Sequence, residues 1–337
     1  MRSLFRVVIV FLCALVAAPS FALQTTPAQL GEGEIWVNGR IFSTLQDAFD
    51  FVPVAGIVRI GPGIYTKGGV LKKKDRVHIS GSEGTIFDNA AVAGKGAFVI
   101  SSNDVTIENI TCRNTVVKDK NGACVRFEGT NLTLRHVTFT DSENGLLAGN
   151  KSEKILIEDS VFERNGKIGR AHAIYVNAGH LTIRRSKFLS SKDEGHAIKS
   201  RAERTFIENS IVASLEGNDS RLIDIPNGGI AVIRNCLLVE GPNTVNWQLF
   251  SFGVEKKHPY DVNIFRLENN VIMTDREGGS ELIMVDEAMP QPVIKNNIVV
   301  GDFMNYDWPI NNFFYESREE LNWPEAPTLP EWDLTAK

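Results

Sequence analysis

Apolar and polar residues alternate over stretches of four or five residues along most of this chain, and the stretches recur. Val105-Thr-Ile-Glu-Asn109, Leu132-Thr-Leu-Arg-His136, Ile155-Leu-Ile-Glu-Asp159, Leu181-Thr-Ile-Arg-Arg185, Thr205-Phe-Ile-Glu-Asn209, Ala231-Val-Ile-Arg-Asn235, Phe265-Arg-Leu-Glu-Asn269 and Pro292-Val-Ile-Lys-Asn296 share one pattern. Their starts are separated by 27, 23, 26, 24, 26, 34 and 27 residues, and Val77-His-Ile-Ser lies 28 before the first. About nine coils are therefore visible in the sequence. A period of two puts alternate side chains on opposite faces, so each stretch predicts a strand with one buried face.

Each unit continues through a short break ending in Asn, His, Asp or Arg, then a second strand such as Ile110-Thr-Cys112, Val137-Thr-Phe139 or Val161-Phe162. Asn suits such a break because it tolerates left-handed backbone angles. A third strand precedes each unit: Cys124-Val-Arg-Phe127, Leu146-Leu147, Ala173-Ile-Tyr-Val176, Ala197-Ile-Lys-Ser200, Leu222-Ile-Asp-Ile225, Gln248-Leu-Phe-Ser251 and Leu282-Ile-Met-Val285. Three strands per unit make a coil. Helical repeats need a 3.6-residue period and leucine-rich repeats need spaced leucines followed by helix; neither pattern occurs. The expected class is all-β, a single-stranded parallel β-helix over residues 57–301.

A solenoid must cover its terminal coils to hide apolar surface and unpaired strand edges. Leu45, Ala48, Phe49 and Val52 lie at helical spacing behind Ser43-Thr44, an N-cap signal, so the segment 23–56 is expected to supply a capping helix. Residues 302–337 lose the period and carry Trp308, Trp323, Trp332 and several prolines, as an irregular C-terminal cap folded over the last coil would.

Residues 1–22 read as a secretory signal: Arg2 and Arg6 form a basic start, Val7 to Ala18 is apolar, and Ser20-Phe21-Ala22 places small residues at both cleavage positions. The apolar run is too short to span a bilayer and no later run is longer, so no transmembrane helix is expected. The mature protein is expected in the periplasm or outside the cell, as a monomer. Without Arg2 and Arg6 the chain has 34 basic and 41 acidic residues and no Lys/Arg run long enough to track a phosphate backbone, so no nucleic-acid partner is expected. Cys112, Cys124 and Cys236 remain after the signal, an odd number. They are expected to be small buried residues, not a disulfide framework.

The stretch from Phe42-Ser-Thr-Leu-Gln-Asp-Ala-Phe49 to Val58-Arg-Ile-Gly-Pro-Gly-Ile-Tyr65 resembles the opening of the pectate-lyase-like family of right-handed β-helix proteins. With the coils, the resemblance covers roughly residues 40–301. It implies the right hand of the helix and, as in most relatives, action on acidic polysaccharides. It does not imply one activity, because relatives include lyases, hydrolases, esterases, epimerases and phage tailspikes.

Stacked coils put equivalent residues in ladders, so reactive groups should stand out from filler. His172-Ala-Ile-Tyr-Val-Asn177, His196-Ala-Ile-Lys-Ser-Arg201 and Arg221-Leu-Ile-Asp-Ile-Pro-Asn227 follow one another at one-coil spacing. In register they form three columns: His172, His196, Arg221; Tyr175, Lys199, Asp224; and Asn177, Arg201, Pro226. With Ile174, Ile198 and Ile223 inward, Tyr175, Lys199 and Asp224 point outward in one line. The bland alternative is that each is a ladder residue, with Asp224 simply pairing Lys199.

β-Elimination at a uronic acid needs a neutralised carboxylate, a base for the C5 proton and an acid for the leaving oxygen. Arg201 and His196 are candidates for neutralisation, Lys199 for the base, Tyr175 for the acid, and His172 for either proton-transfer role. Arg221, Asn177, Asp224 and Asn227 are candidate substrate contacts. The loop Gly253–Asn263 lengthens one coil and carries Lys256, Lys257, His258 and Tyr260; His258 is the further candidate for binding an acidic sugar.

Lys199-Ser200, with Glu194 five residues before, is similar to the lysine-serine motif of the chondroitinase B and alginate lyase family, and that resemblance implies a base role for Lys199. The family's Arg-His-Gly triplet one coil later is replaced here by Ile223-Asp224-Ile225-Pro226-Asn227-Gly228. Asp193, Glu194 and Asp224 are the carboxylates available for a calcium ion, without clearly matching the family's set. The expectation is a polysaccharide lyase on a uronate-containing chain. The alternatives are a C5-epimerase, although its Asp-Pro-His-Asp signature is absent, or a non-catalytic polysaccharide-binding β-helix.

Overall fold

The alternating stretches fold as strands of a right-handed parallel β-helix of about nine turns, with one short helix at its start. The computed structural model describes residues 29–255, 259–304, 311–323 and 328; the expected signal segment lies outside them. Along one coil the chain runs through Ile174–Val176, His180–Arg184 and Lys187–Leu189, then returns at Ile198–Ser200. These strands belong to three sheets of ten, twelve and eleven strands. We call the sheet of the recurring Leu-Thr-Ile-Arg stretches the first, the one after each Asn break the second, and the one containing Ile174–Val176 the third. Every strand pairing between successive coils is parallel.

The break between first and second sheets is the αL turn that the Asn residues announced. Asn109, Asn209, Asn235, Asn269 and Asn296 have φ of 57°, 52°, 53°, 57° and 57°, and His136, Asp159 and Arg185 hold the same conformation in their coils. A single residue with φ > 0 turns the chain sharply enough to start the second sheet at once.

The inward residues stack in files. In the second sheet Phe87, Cys112, Phe139, Phe162, Phe188, Val212, Leu238, Ile272 and Val299 sit in register, all buried. The Phe162 and Phe188 rings lie parallel with centroids 4.8 Å apart, the coil spacing itself. On the outer face of the first sheet Glu108, Arg135, Glu158, Arg184, Glu208, Arg234, Glu268 and Lys295 alternate in sign down one column. Like charges stacked at that spacing would repel; alternation turns the column into ion pairs, such as Arg184–Glu208 at 2.7 Å and Arg234–Glu208 at 2.6 Å.

The first coil is covered and the last is prolonged, in ways the periodicity only partly anticipated. Thr44 caps helix α1 (Leu45–Phe51) by accepting from Asp47 N, and Leu45, Ala48 and Phe49 plug the first coil. Gly69 permits this close seating: a Cβ there would lie 2.8 Å from Phe49 Cδ2. Two antiparallel strands not expected from the repeat, Ile35–Val37 and Arg40–Phe42, cover the open edge of the first sheet. At the other end Phe303–Met304 and Phe313–Tyr315 extend the third and second sheets. The described part of 302–323 thus prolongs the ladders instead of only folding over them, and Trp323 packs against the apolar cluster containing Met273 and Val300.

The cysteine expectation is corrected. Cys112 and Cys124 form a disulfide with Cα atoms 5.8 Å apart, and Cys236 is left buried and free. Cys112 lies on the inward side of the second sheet and Cys124 at the start of the next third-sheet strand, so the intervening segment brings them together across one corner. An odd count excludes complete pairing but not one pair. Replacing both with alanine should lower unfolding free energy by about 3 kcal/mol, from the entropy of an open 12-residue loop. The check is a lower urea midpoint for Cys112→Ala/Cys124→Ala; an unchanged midpoint would overturn it.

Candidate functional site

Ile174, Ile198 and Ile223 are wholly buried, so alternation turns their neighbours out onto the face of the third sheet. The register there runs Leu147, Tyr175, Lys199, Asp224, Ser251, one residue per coil. Asn177 and Arg201 follow two residues on. The elements are rigid coil strands, so the geometry of the cluster is set by the stack and not by loop conformation.

Asp224 lies at its centre, 3% exposed. Lys199 Nζ donates to Oδ2 at 2.8 Å, Ser251 Oγ donates to Oδ1, and His196 Nε2 stands 3.3 Å from Oδ2. Burial opposes ionisation, but His196 and Lys199 override it and hold the carboxyl down to about 2. Asp224 is therefore an ion-pair partner for Lys199, as the bland alternative foresaw, and it also gathers two residues that the columns kept apart.

Arg201 is the second hub. Its Nε donates to Tyr175 Oη at 2.7 Å, Nη1 to Asn227 Oδ1 at 2.6 Å and Nη2 to Glu255 Oε1 at 2.6 Å. Burial works against its charge, while Glu255 and Tyr175 more than compensate and raise its pKa. Tyr260 Oη donates to the Arg201 carbonyl at 2.6 Å, tying the long loop to this coil. Glu255 Oε1 lies 3.8 Å from Lys199 Nζ as well, so one half-exposed carboxylate spans both cations. Lys199 Nζ and the Arg201 guanidinium each lie 5.8 Å from the centroid of the Tyr175 ring.

The histidines do not join this outward face. His172 is 2% exposed and its Nδ1 accepts from His196 N at 2.9 Å, while its own N–H donates to Asn144 Oδ1 at 2.9 Å. The rings stack 5.0 Å apart at 15°. Burial drives the His172 pKa well below the ordinary value and the His196 pKa to about 4. Both are neutral near pH 7. His172 thus binds backbone beneath the groove, which speaks against the proton-transfer role expected for it, and a neutral His196 supports Asp224 instead of neutralising a substrate carboxylate. The parity of their positions already pointed inward; the turn before the strand did not rotate them out.

The remaining candidates scatter. Arg221 reaches along the stack to Gln248 Oε1 at 3.3 Å, not into the cluster. Asn177 Nδ2 donates to Ala148 O at 2.9 Å. Asp193 pairs with Lys167 at 2.6 Å and Glu194 is exposed on the adjoining turn, so these two carboxylates and Asp224 are not brought together. Among the described residues no group of three His, Cys, Asp or Glu is arranged to hold a metal ion. His258, with Lys256 and Lys257, lies outside the described residues. Sequence reasoning missed Ser251 and Glu255. Ser251 was legible, being the next member of the Lys199–Asp224 ladder; Glu255 reaches Arg201 across 54 residues of sequence and carried no such signal.

A cleft of about 540 Å³ on the first sheet, between Phe206, Val232 and Ile264, is bordered by Arg184, Glu208 and Arg234, whose charges pair with one another. The unusual chemistry is on the third sheet. No helix among the described residues is long and apolar enough to cross a membrane.

Residues 70–212 match a family model described as a right handed beta helix region. No curated protein matches the chain. Among solved structures it is similar to ORF18 of Geobacillus virus E2, at 13% identity and a TM-score of 0.42, over 82% of this chain and 58% of the viral one. It is also similar to a pectin methylesterase mutant in complex with a hexasaccharide, at 14% identity and a TM-score of 0.37, over 82% of this chain and 78% of that one. The chain thus spans under two thirds of the viral protein's length.

Proposed function

We propose that this chain is an exported polysaccharide lyase that cleaves a uronate-containing chain by β-elimination on the third-sheet face. One observation carries the reading: Lys199, Tyr175 and Arg201 converge on adjacent coils around a single carboxylate, Glu255, held between Arg201 at 2.6 Å and Lys199 at 3.8 Å. A substrate uronate that displaced Glu255 would find the same two cations. Neutralising that carboxylate acidifies the C5 proton.

The Lys199 amine takes the C5 proton and becomes the ammonium. The electron pair left at C5 forms the C4–C5 double bond, the C4–O bond breaks, and the departing oxygen takes the Tyr175 hydroxyl proton. Arg201, bonded to Tyr175 Oη at 2.7 Å, is placed to stabilise the phenolate that results. Asp224 and Ser251 orient Lys199 from beneath. No step is assigned to calcium.

A second reading, sugar binding without turnover, is favoured by a separate fact: Lys199 is already paired with Asp224, and Arg201 already has three side-chain partners. The two are separated by incubating the protein with a panel of uronate polymers, with and without calcium, and following the ultraviolet absorbance of unsaturated ends. The lyase reading expects a rise on at least one polymer. Binding without any rise would leave the binding protein, or an epimerase detectable by C5 proton exchange with solvent.

A further inference from the structure

We infer that the same face carries a second, separate anion subsite, built from Arg126, Arg170 and Lys120, that holds a carboxylate of the bound polysaccharide away from the reacting sugar. The inference rests on the polysaccharide reading above. A cleft of about 410 Å³ opens on the third sheet on the N-terminal side of the Lys199 cluster, and Tyr175 and Asn177 form its near wall. Tyr175 is thus shared: its hydroxyl accepts from Arg201, and its other side borders the cleft. The two sites are one continuous surface.

The lining charges are three cations, Lys120, Arg126 and Arg170, against one carboxylate, Asp119. Arg126 stands in the outward column, in register with Leu147, which precedes Tyr175 and Lys199. Its Nε is 3.4 Å from Glu128 Oε1, an ion pair without hydrogen-bond geometry, and that oxygen also accepts from Lys95 Nζ at 2.7 Å. The rest of its guanidinium has no acceptor among the described residues. Arg170 comes from a tight turn closed by the Lys167–Ala171 bridge, with Gly169 at φ 65°, and makes no ion pair among the described residues. The arginines of the first-sheet column, by contrast, each face a glutamate one coil away. Arg170 and Lys120 make no ion pair among the described residues, and Arg126 shares the single Glu128 carboxylate with Lys95; such an excess of cations in a half-enclosed cleft attracts an oxyanion, and the guanidinium fork fits a carboxylate in particular.

Three ladder steps of about 4.8 Å separate Arg126 from Lys199, a distance of roughly 14 Å. That spans a few sugar units, so only an oligomer of some length can occupy both sites. The subsite therefore acts on affinity and length preference, not on the chemical step.

The test is fluorescence anisotropy of labelled oligouronates, a dimer and a longer oligomer, with the whole protein and Arg126→Ala/Arg170→Ala. The longer oligomer is expected to bind the variant at least about tenfold more weakly, with the dimer unchanged. Arg170→Ala alone, on an exposed turn that leaves the sheet intact, should show the same length-dependent loss in smaller degree. Equal binding of the longer oligomer by both variants and the wild type, or a loss of the same size for the dimer, would overturn the subsite. The lyase reading fails differently: an oligomer that binds through Arg126 and Arg170 yet is never cleaved would leave the subsite standing.

Discussion

Lys199→Ala is expected to lower turnover on the responsive uronate polymer by about a thousandfold, the scale on which a positioned general base acts. It should also destabilise the protein by about 3 kcal/mol, because Asp224, 3% exposed, loses the partner that holds its charge. The figure lies toward the low end for a broken buried pair because His196, 3.3 Å from Asp224, can take up a proton in place of the lysine. Lost activity alone would then be ambiguous. The resolving variant is Lys199→Ala/Asp224→Ala, which removes both buried charges and should recover much of the melting temperature while turnover stays absent. If turnover returned together with stability, Lys199 would be a structural partner of Asp224 and the base would have to be sought elsewhere. Initial rates and denaturant midpoints on the same three proteins decide the matter.

The double substitution Asp219→Asn/Glu240→Gln is expected to stabilise the protein near about pH 8 by on the order of 3 kcal/mol per site. Both carboxyls are buried, at 0% and 1% exposure, and each has an oxygen without a hydrogen-bond partner, Asp219 Oδ1 and Glu240 Oε1. Burial raises each to about 7 from 3.8 and 4.5, against the hydrogen bonds that Ser214 gives Asp219 and Ser280 and Thr274 give Glu240. A folded-state pKa raised in this way contributes stability at low pH that is lost as pH rises through about 4 to about 7. His172 and His196 act in the opposite sense: burial lowers both from 6.5, so their contribution is present above that and lost as pH falls, for His196 toward about 4.

Below about pH 6.5 the buried carboxyls hold protons that the unfolded chain has lost, while the unfolded imidazoles hold protons that the folded chain does not bind, so the two contributions to the slope oppose each other and the wild-type curve should be flattened there on their account. Removing the carboxyls unmasks the histidines. The variant should lose stability as pH falls from about 6.5 to 4.5, while exceeding the wild type at alkaline pH. Chemical denaturation across this range measures both. A variant curve that overlays the wild type would sink the assignment of these carboxyls as protonated core groups.

How much of this was written in the residues can be followed position by position. The Leu-Thr-Ile-Arg stretches determined the strands and their inward faces, because a period of two with one apolar face has a single way to bury itself in a stack. The αL turns were legible in Asn109, Asn209, Asn235, Asn269 and Asn296, since few residues other than Asn and Gly accept that conformation easily. Coil spacing set the Tyr175–Lys199–Asp224 register without recourse to coordinates. Two further signals were present and unread: Val37-Asn38-Gly39-Arg40, whose Asn-Gly turn has φ of 46° and 81°, and the alternating Glu and Arg of the first-sheet column.

What is local or periodic thus followed from residue order: the strands, the turns, the capping helix with its Thr44 cap, and which residues share a ladder. What depends on loops and corners emerged only on packing. That packing closed Cys112 onto Cys124, sank His172 and His196 beneath the groove, and brought Glu255 and Tyr260 onto Arg201. The physical reason is one of degrees of freedom. A repeat constrains each coil by its neighbours, so one pattern settles many contacts. A corner or a long loop is specified by no neighbour, and where its side chains come to rest is set only when the whole chain has packed.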